Sequence, residues 1–235
     1  MYSKYLSATK MLNYQSPAIQ SLIFSRKWNN MDEYHKIDGA YNFVQNEILF
    51  GYNRTDTLVA TEVLEDGFGQ CNTKSTLLMA LLRAIGMPCR LHGFSVSKDF
   101  QQGATTGLIA LMAPKTIIHT WVEVYYSGRW IVLEGVITDK QYIKAVKSKF
   151  PNVVGEFKKY AIATSNFEKL SVEWKGTDTY VQNAAIVEDY GTFLCPDDFF
   201  LTHSQSLGTI KGFMYEIIGR KMMTRNVNRI RNSSS

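Results

Sequence analysis

The sequence has few cysteines, and their spacing excludes two common uses of this residue. Its 235 residues contain only Cys71, Cys89 and Cys195. An odd number at such wide spacing forms neither a disulfide framework nor the paired ligands of a zinc site. Histidines and carboxylates do not occur at metal-ligand spacing either, so we expect no metal and no other cofactor. The three cysteines are expected to be free thiols in a reducing compartment.

Long apolar runs are also missing. No stretch reaches the roughly 18 uncharged apolar residues of a membrane span. The first ten residues, MYSKYLSATK, lack the apolar centre of a signal peptide. We therefore expect a cytoplasmic location. Hydrophobic residues still make up 45% of the chain and aromatic residues 13%, which is ample for a well-filled core.

Acidic residues are scarce near the C-terminus. From residue 201 onward there is one acid, Glu216, against six basic residues: Lys211, Arg220, Lys221, Arg225, Arg229 and Arg231. Their sum, 6 − 1 = +5, equals the net charge of the whole chain, so the rest is neutral. A basic groove for nucleic acid across the domain is therefore not indicated, and no nucleic-acid partner is expected.

The C-terminal region is predicted to be a long basic helix. We divide the chain into a domain over residues 1–195 and an extension over residues 196–235 that docks on it. The predicted helix, Gly208–Arg231, has an apolar face formed by Ile210, Phe213, Met214, Ile217, Ile218 and Met222. We favour a helix that simply docks through this face. The alternative is that its cations bind an acidic partner or an anionic membrane surface.

One cysteine stands at the start of a predicted buried helix. Residues 67–86 read GFGQCNTKSTLLMALLRAIG, and the run from Leu77 onward is apolar nearly all round. Gly67 and Gly69 are expected to let the backbone turn tightly and approach a substrate closely. Unpaired N–H groups and the helix dipole at the first turn favour a thiolate at Cys71. The alternative is that Cys71 is a small buried cap residue.

A predicted β-hairpin brings a histidine near a carboxylate. Residues 117–126 and 129–134 are rich in β-branched and aromatic residues, and Ser127-Gly128 forms the turn between them. With this turn, paired residue numbers add up to 255, so Tyr125 faces Trp130, Glu123 faces Val132 and Trp121 faces Glu134. His119 then shares a face with Glu134 at a diagonal distance of roughly 7–8 Å between backbones. A three-residue loop would put them on opposite faces.

These three residues are the parts needed for thiol catalysis. An imidazole takes the thiol proton and later protonates the leaving amine, while a carboxylate orients the ring. The thiolate attacks an acyl carbon and forms a thioester. Cys71 is thus the candidate nucleophile, His119 the candidate base and Glu134 the candidate orienting carboxylate.

The motifs resemble the core of the transglutaminase-like superfamily. They are Gly69-Gln70-Cys71, the segment ALLRAIGMPCR at residues 80–90, the pattern HxWxE from His119, and WxxxE from Trp130. The resemblance is good over residues 58–135 and loose over residues 16–50. It implies an α+β papain-like thiol fold with the nucleophile helix packed on an antiparallel sheet. Asn72, where animal transglutaminases have tryptophan, points to the microbial branch.

The resemblance also implies an activity and a substrate class. We expect acyl transfer or hydrolysis at a carboxamide or peptide bond of a peptide or protein, with a peptidase or amidase favoured over a cross-linking enzyme. Gln70, Trp121 and Trp130 are candidate substrate-binding residues, although core positions are favoured for both tryptophans. Glu134 stands where the family usually has aspartate, and Asp139 is a possible substitute. The alternative function is a catalytically inactive binding module for a peptide or protein partner.

Overall fold

The structure, a computed structural model, describes residues 2–105, 114–204 and 219–234. Seven α-helices lie in these ranges: α1 (Pro17–Arg26), α2 (Glu33–Asn46), α3 (Ala60–Asp66), α4 (Cys71–Ala84), α5 (Lys140–Lys149), α6 (Pro196–Thr202) and α7 (Arg220–Arg231). The strands are β1 (Leu49–Phe50), β2 (Phe68–Gly69), β3 (Cys89–Ser97), β4 (Thr116–Tyr126), β5 (Arg129–Val132), β6 (Phe157–Lys159), β7 (Ile162–Thr164) and β8 (Ile186–Phe193). None of the described helices is both long and apolar enough to cross a membrane.

A four-stranded antiparallel sheet forms the β-layer, in the order β5-β4-β3-β8. The longest ladder joins β3 to β4, from the pair Cys89 and Val124 to the pair Ser97 and Thr116. β8 covers the outer edge of β3 with two irregularities in register. The sequence leaves β8 ambiguous because much of this edge strand faces solvent, which weakens the alternating pattern of a half-buried strand.

Helix α4 packs against this sheet and forms the centre of the molecule. It contacts β3 and β4 on one side and α2 and α3 on others. The six side chains from Leu77 to Leu82 have no solvent exposure, as expected for a helix surrounded by other elements. The predicted α+β fold, with the helix that begins at Cys71 packed on an antiparallel sheet, is confirmed.

The hairpin register is confirmed up to Val132 and then differs from the prediction. Tyr125 pairs with Trp130 and Glu123 with Val132. The two-residue turn has φ of 48° at Ser127 and 83° at Gly128, as a type I′ turn requires. The predicted ladder pair of Trp121 with Glu134 is wrong, because β5 ends at Val132.

A short 3-10 helix replaces the predicted end of that strand. It spans Glu134–Ile137, and the backbone turns at Leu133 with ψ of 39°. The peptide N–H of Glu134 donates to the carbonyl of Thr179 at 3.1 Å, so a distant segment takes the position of the next strand partner. Glu134 therefore enters the site from a helical turn instead of a strand.

Helix α7 lies against α5. Only its residues from Gly219 onward fall within the described ranges, so residues 208–218 of the predicted Gly208–Arg231 helix lie outside them, with Ile210, Phe213, Met214, Ile217 and Ile218 of the predicted apolar face. Met223, Val227 and Ile230 are buried, whereas Met222 is 51% exposed, so the placement of Met222 on the docked face is wrong. The division at residue 195 stays a prediction.

Arg231 is not part of an exposed cationic surface, contrary to the sequence-based alternative. It is 3% exposed and pairs with Asp139. Three of the other cations, Lys221, Arg225 and Arg229, are exposed and four residues apart, so they share one side of α7. An acidic partner or an anionic membrane surface remains a proposal for these three residues alone.

Candidate active site

Cys71 is the first residue of α4, and its side chain is partly exposed. Its Sγ lies 3.6 Å from Oδ1 of Asn72. Gly69 is needed for close packing, because a Cβ there would lie 2.7 Å from Oγ1 of Thr73 and 2.9 Å from Cγ of Lys74. This close approach is to α4 itself, and the substrate contact expected for Gly69 stays a prediction.

His119 lies on β4 and is almost completely buried, with 1% exposure. Its Nε2 lies 3.0 Å from Oε1 of Glu134. Among the described residues no nitrogen or oxygen pairs with Nδ1, which is also buried. Cys71 is close enough to act on the ring electrostatically, because it raises the pKa of His119. The imidazole is thus bonded to the carboxylate through Nε2 and influenced by the nearby thiol.

Glu134 is fully buried, and both of its carboxylate oxygens are used. Oε1 faces His119, and Oε2 accepts a hydrogen bond from the peptide N–H of Val181 at 2.9 Å. Because the chain leaves β5 two residues earlier, the glutamate spans the gap to the imidazole from the 3-10 helix. The extra methylene relative to aspartate is therefore accommodated by the backbone.

Asp139, the possible substitute for Glu134, has other partners. Its carboxylate accepts from Nη2 of Arg231 at 2.7 Å and from the peptide N–H groups of Tyr142 and Phe50. Burial raises the pKa of Asp139, but the hydrogen bonds and charge of Arg231 outweigh this and lower the pKa overall. The structure brings Glu134, and not Asp139, to His119.

The electrostatics of the buried imidazole favour its charged form. Burial by itself lowers the pKa of His119, but the charge of the nearby Cys71 raises it, and Glu134 raises it further. The net result is a pKa of about 10 instead of 6.5. A cationic ring between a sulfur and a carboxylate is the arrangement that a thiolate–imidazolium pair requires.

Gln70, a candidate substrate-binding residue, is 9% exposed and bonded within the protein. Its Oε1 accepts from the peptide N–H of Asn53 at 2.8 Å, and its Nε2 donates to Oδ1 of Asp56 at 3.0 Å. Burial raises the pKa of Asp56, and the bond from Gln70 opposes that rise. These contacts hold Gln70 at the start of α4, and direct substrate binding stays a prediction.

The two candidate tryptophans lie at different distances from the imidazole. Trp121 is 7% exposed, and its ring centroid lies 6.4 Å from that of His119 and 4.1 Å from that of Phe94. Trp130 pairs with Tyr125, six residues and about 20 Å along the strand from His119. The Arg90 guanidinium covers its ring at 4.3 Å. Trp121 therefore packs beside the site and Trp130 lies far from it.

Sequence reasoning missed the polar residues that follow Cys71. Asn72, Thr73, Lys74, Ser75 and Thr76 are all buried, and all are involved in hydrogen bonds. The sequence does indicate that these residues are buried, because they form the first turns of a helix whose later residues are too apolar to lie on a surface. Buried polar groups need partners, so such a run indicates contacts with neighbouring elements.

No group of three or more His, Cys, Asp or Glu side chains within the described ranges is placed to hold a metal ion. The candidate site consists of the three side chains alone, together with the N–H groups of the first turn of α4. Such N–H groups are donors without partners inside the helix, and they can bind a developing negative charge.

Comparison with known proteins supports the resemblance seen in the motifs. The model of the transglutaminase-like superfamily matches residues 24–135, a segment that contains Cys71, His119 and Glu134. None of the curated proteins matches the chain by sequence. A solved structure from Cytophaga hutchinsonii, named as a proposed cysteine protease, has 14% identity and a TM-score of 0.48. That match covers 84% of this chain and 48% of the other, so this chain spans about half of that protein's length.

Proposed function

Because the chain belongs, through residues 24–135, to the transglutaminase-like superfamily, we propose that it is a thiol enzyme with Cys71, His119 and Glu134 as its catalytic residues. It acts on a carboxamide or peptide bond of a peptide or protein through a thioester on Cys71. The observation that carries this proposal is the buried His119 ring, whose Nε2 lies 3.0 Å from Oε1 of Glu134 and whose pKa is raised by the nearby Cys71.

In the first half of the reaction the Cys71 thiolate attacks the acyl carbon. The carbonyl π electrons move to oxygen, and the N–H groups at the start of α4 stabilise the oxyanion. As the oxyanion collapses, the bond to nitrogen breaks, and the imidazolium of His119 donates its proton to the leaving amine. The products are the thioester, a neutral imidazole and a free amine or ammonia.

In the second half a nucleophile attacks the thioester. His119, now neutral, takes a proton from water or from a primary amine, and the sulfur leaves as thiolate. Water gives a carboxylic acid, and an amine gives a new amide. Glu134 keeps the ring oriented throughout by accepting from Nε2–H. We favour hydrolysis, because water is always present at high concentration.

The rival function is a binding module that retains the fold without chemistry. It predicts that the Cys71→Ala variant binds its peptide or protein partner as well as the wild type and that neither protein turns anything over. The catalytic proposal is supported over this rival by the burial of the imidazole and the carboxylate in direct contact. A surface for binding alone has no need of this buried, charge-assisted pair.

The test is an assay that detects each possible product. Casein, an unstructured protein rich in glutamine, is incubated with the protein and a biotin-labelled primary amine, and the products are analysed by mass spectrometry. New N-termini identify a peptidase, glutamine-to-glutamate conversion with ammonia release identifies an amidase, and biotin on glutamine identifies a cross-linking activity. The same assay is run with Cys71→Ala and with a panel of unrelated peptides.

We expect one of the three products with the wild type and none with Cys71→Ala. Product formation at an equal rate in both proteins would contradict the proposal. So would the absence of all three products across the substrate panel together with an unreactive Cys71 thiol. Binding of a peptide that survives Cys71→Ala, without any product in the wild type, would support the rival function.

A further inference from the structure

Helix α4 is fastened to the strand that carries His119 by the residue that directly follows Cys71. The side-chain amide of Asn72 donates from Nδ2 to the carbonyl of Ile118 at 3.2 Å. The same amide accepts, through Oδ1, a hydrogen bond from Oγ1 of Thr120 at 3.1 Å. Asn72 is 2% exposed, so these bonds are shielded from water. One side chain therefore holds the strand on both sides of His119.

A third hydrogen bond strengthens this attachment. Oγ of Ser75, one turn along α4, donates to the carbonyl of Thr120 at 3.3 Å. Side chains alternate along a strand, so Ile118 and Thr120 point toward the face opposite to that of His119. These three hydrogen bonds from α4 thus go to the residues on either side of His119 and not to the imidazole itself.

Asn72 also touches the nucleophile. Its Oδ1, which accepts from Thr120, lies 3.6 Å from Sγ of Cys71. The amide is therefore in contact with the sulfur on one side and with the histidine strand on the other. The apolar residues that pack α4 against the sheet begin only at Leu77, more than one turn after Cys71. At the first turn, the hydrogen bonds of Asn72 and Ser75 join the helix to β4.

We propose that Asn72 is a positioning residue that fixes the distance between Cys71 and His119. This inference rests on the proposed function, in which the two side chains form a thiolate–imidazolium pair. The attraction within such a pair falls with distance, and a displacement of about 1 Å near reacting atoms can lower a rate by ~100-fold. Loss of the Asn72 amide lets the start of α4 move relative to β4, which weakens the pair.

The experiment measures the rate of Cys71 alkylation by iodoacetamide against pH, with mass spectrometry to identify the modified cysteine. The full chain is used as wild type, Asn72→Ala and Thr120→Val. Cys89 and Cys195, which are buried, serve as internal references for unfolding. In Asn72→Ala we expect the midpoint of the profile to rise by at least about one pH unit, a ~10-fold slower reaction near pH 6. At alkaline pH the rates should converge.

Two further variants separate positioning from general stability. Thr120→Val removes the hydroxyl that donates to Asn72, whereas Thr120→Ser retains it, so only the valine variant should shift the midpoint. Thr76→Val removes a buried hydroxyl that bonds only to the backbone of Asn72 within α4. We expect Thr76→Val to keep the wild-type profile, even if it lowers the free energy of unfolding. If Asn72→Ala does not fold, the comparison of Thr120→Val with Thr120→Ser tests the positioning role of Asn72.

The possible results have distinct consequences. Wild-type profiles in both Asn72→Ala and Thr120→Val would overturn the role of Asn72 and leave the proposed function intact. An equal shift in Thr76→Val would also overturn it, because the effect would then reflect a loosened helix. A wild type that reacts like a free thiol, with a midpoint near pH 8.5, would overturn both the role of Asn72 and the proposed function.

Discussion

His119 and Glu134 form a hydrogen-bonded pair with 1% and 0% side-chain exposure, in which Nε2 lies 3.0 Å from Oε1. They come from different kinds of backbone, a central strand and a 3-10 helix. The second carboxylate oxygen is occupied by the N–H of Val181. Glu134 thus has two donors, and each of its oxygens is needed as an acceptor.

Glu134→Gln is predicted to lower the catalytic rate by about 100- to 10,000-fold. An amide has one acceptor and one donor group, so either His119 or Val181 loses its partner, and the negative charge beside the imidazolium is lost. Glu134→Asp should give a smaller loss, because the negative charge and both acceptor oxygens are retained, although the shortened side chain cannot span the full distance from the 3-10 helix. The measurement is kcat on the substrate found in the product assay.

The matched control for this prediction is Glu188→Gln, on the exposed side of β8. It removes the same charge away from the site and should keep the wild-type kcat. Glu134→Gln with wild-type kcat and an unchanged pH profile would show that the carboxylate does not orient the imidazole.

Cys71→Ala is predicted to lower the pKa of His119 by more than one unit. In the wild type, burial lowers this pKa, while Cys71 and then Glu134 raise it to about 10. Without the sulfur, burial is opposed by Glu134 alone. The measurement is an NMR titration of the His119 ring, assigned with His119→Asn. The wild-type ring should stay protonated through pH 8, and identical titrations in the two proteins would contradict the thiolate–imidazolium pair.

The same pKa sets a direction for stability. A histidine whose folded pKa lies above its ordinary value of 6.5 contributes stability that is complete below that value. The contribution is lost as the pH rises toward about 10, because the folded state releases a proton that the unfolded state has already lost. The unfolded thiol of Cys71 also loses its proton above about pH 8.5, so the wild type should lose stability relative to Cys71→Ala between about pH 8.5 and about 10.

The sequence predicts the local parts of the site but not the long-range ones. The register of Tyr125 with Trp130 follows from the Ser127-Gly128 turn, and the start of α4 follows from Gly69 and the apolar run after it. The hairpin register and the start of α4 both depend on neighbouring residues, so the sequence predicts both. The approach of Glu134 depends on Thr179 and Val181, more than 40 residues later, and no local pattern records that contact.

The role of the C-terminal helix was unpredictable for the same reason. Arg231 looks like one of several surface cations in the sequence, yet its guanidinium bonds Asp139 and the carbonyl of Phe50. Only the folded chain shows that these groups meet. Asn72 could be predicted only in part. The sequence shows that it directly follows Cys71, but it does not show that its side chain bonds to Ile118 and Thr120.

Arg231→Ala is predicted to lower the free energy of unfolding by about 3–5 kcal/mol, because it leaves the carboxylate of Asp139 buried without its partner. Arg229→Ala, on the exposed side of the same helix, should change it by less than about 0.5 kcal/mol. The measurement is urea unfolding at neutral pH. Equal effects of the two substitutions would contradict the docking of α7 through this ion pair.

Lys74→Met is predicted to change the pH dependence of stability. Lys74 is fully buried and donates to the carbonyls of Gln45 and Ile137. Burial lowers its pKa from 10.5 to about 7, and the charge of Asp139 opposes that shift. Between these values the unfolded chain holds a proton that the folded chain lacks, so wild-type stability rises with pH by up to ~1.4 kcal/mol per unit.

The difference between the two proteins isolates this effect. The stability of Lys74→Met relative to the wild type should be greatest near pH 6 and should fall as the pH rises toward about 9. Lys144→Met, at an exposed position of α5, is the matched control and should show no such trend. A constant difference for Lys74→Met would mean that the lysine keeps an ordinary pKa in the folded state.

The most direct test of the account is the pH dependence of Cys71 alkylation in the wild type and in His119→Asn. The account predicts that wild-type Cys71 reacts readily near pH 6 and that this reactivity is lost without His119, because the imidazolium stabilises the thiolate. A wild-type Cys71 that titrates like a free thiol near pH 8.5, or one whose profile is unchanged in His119→Asn, would contradict it.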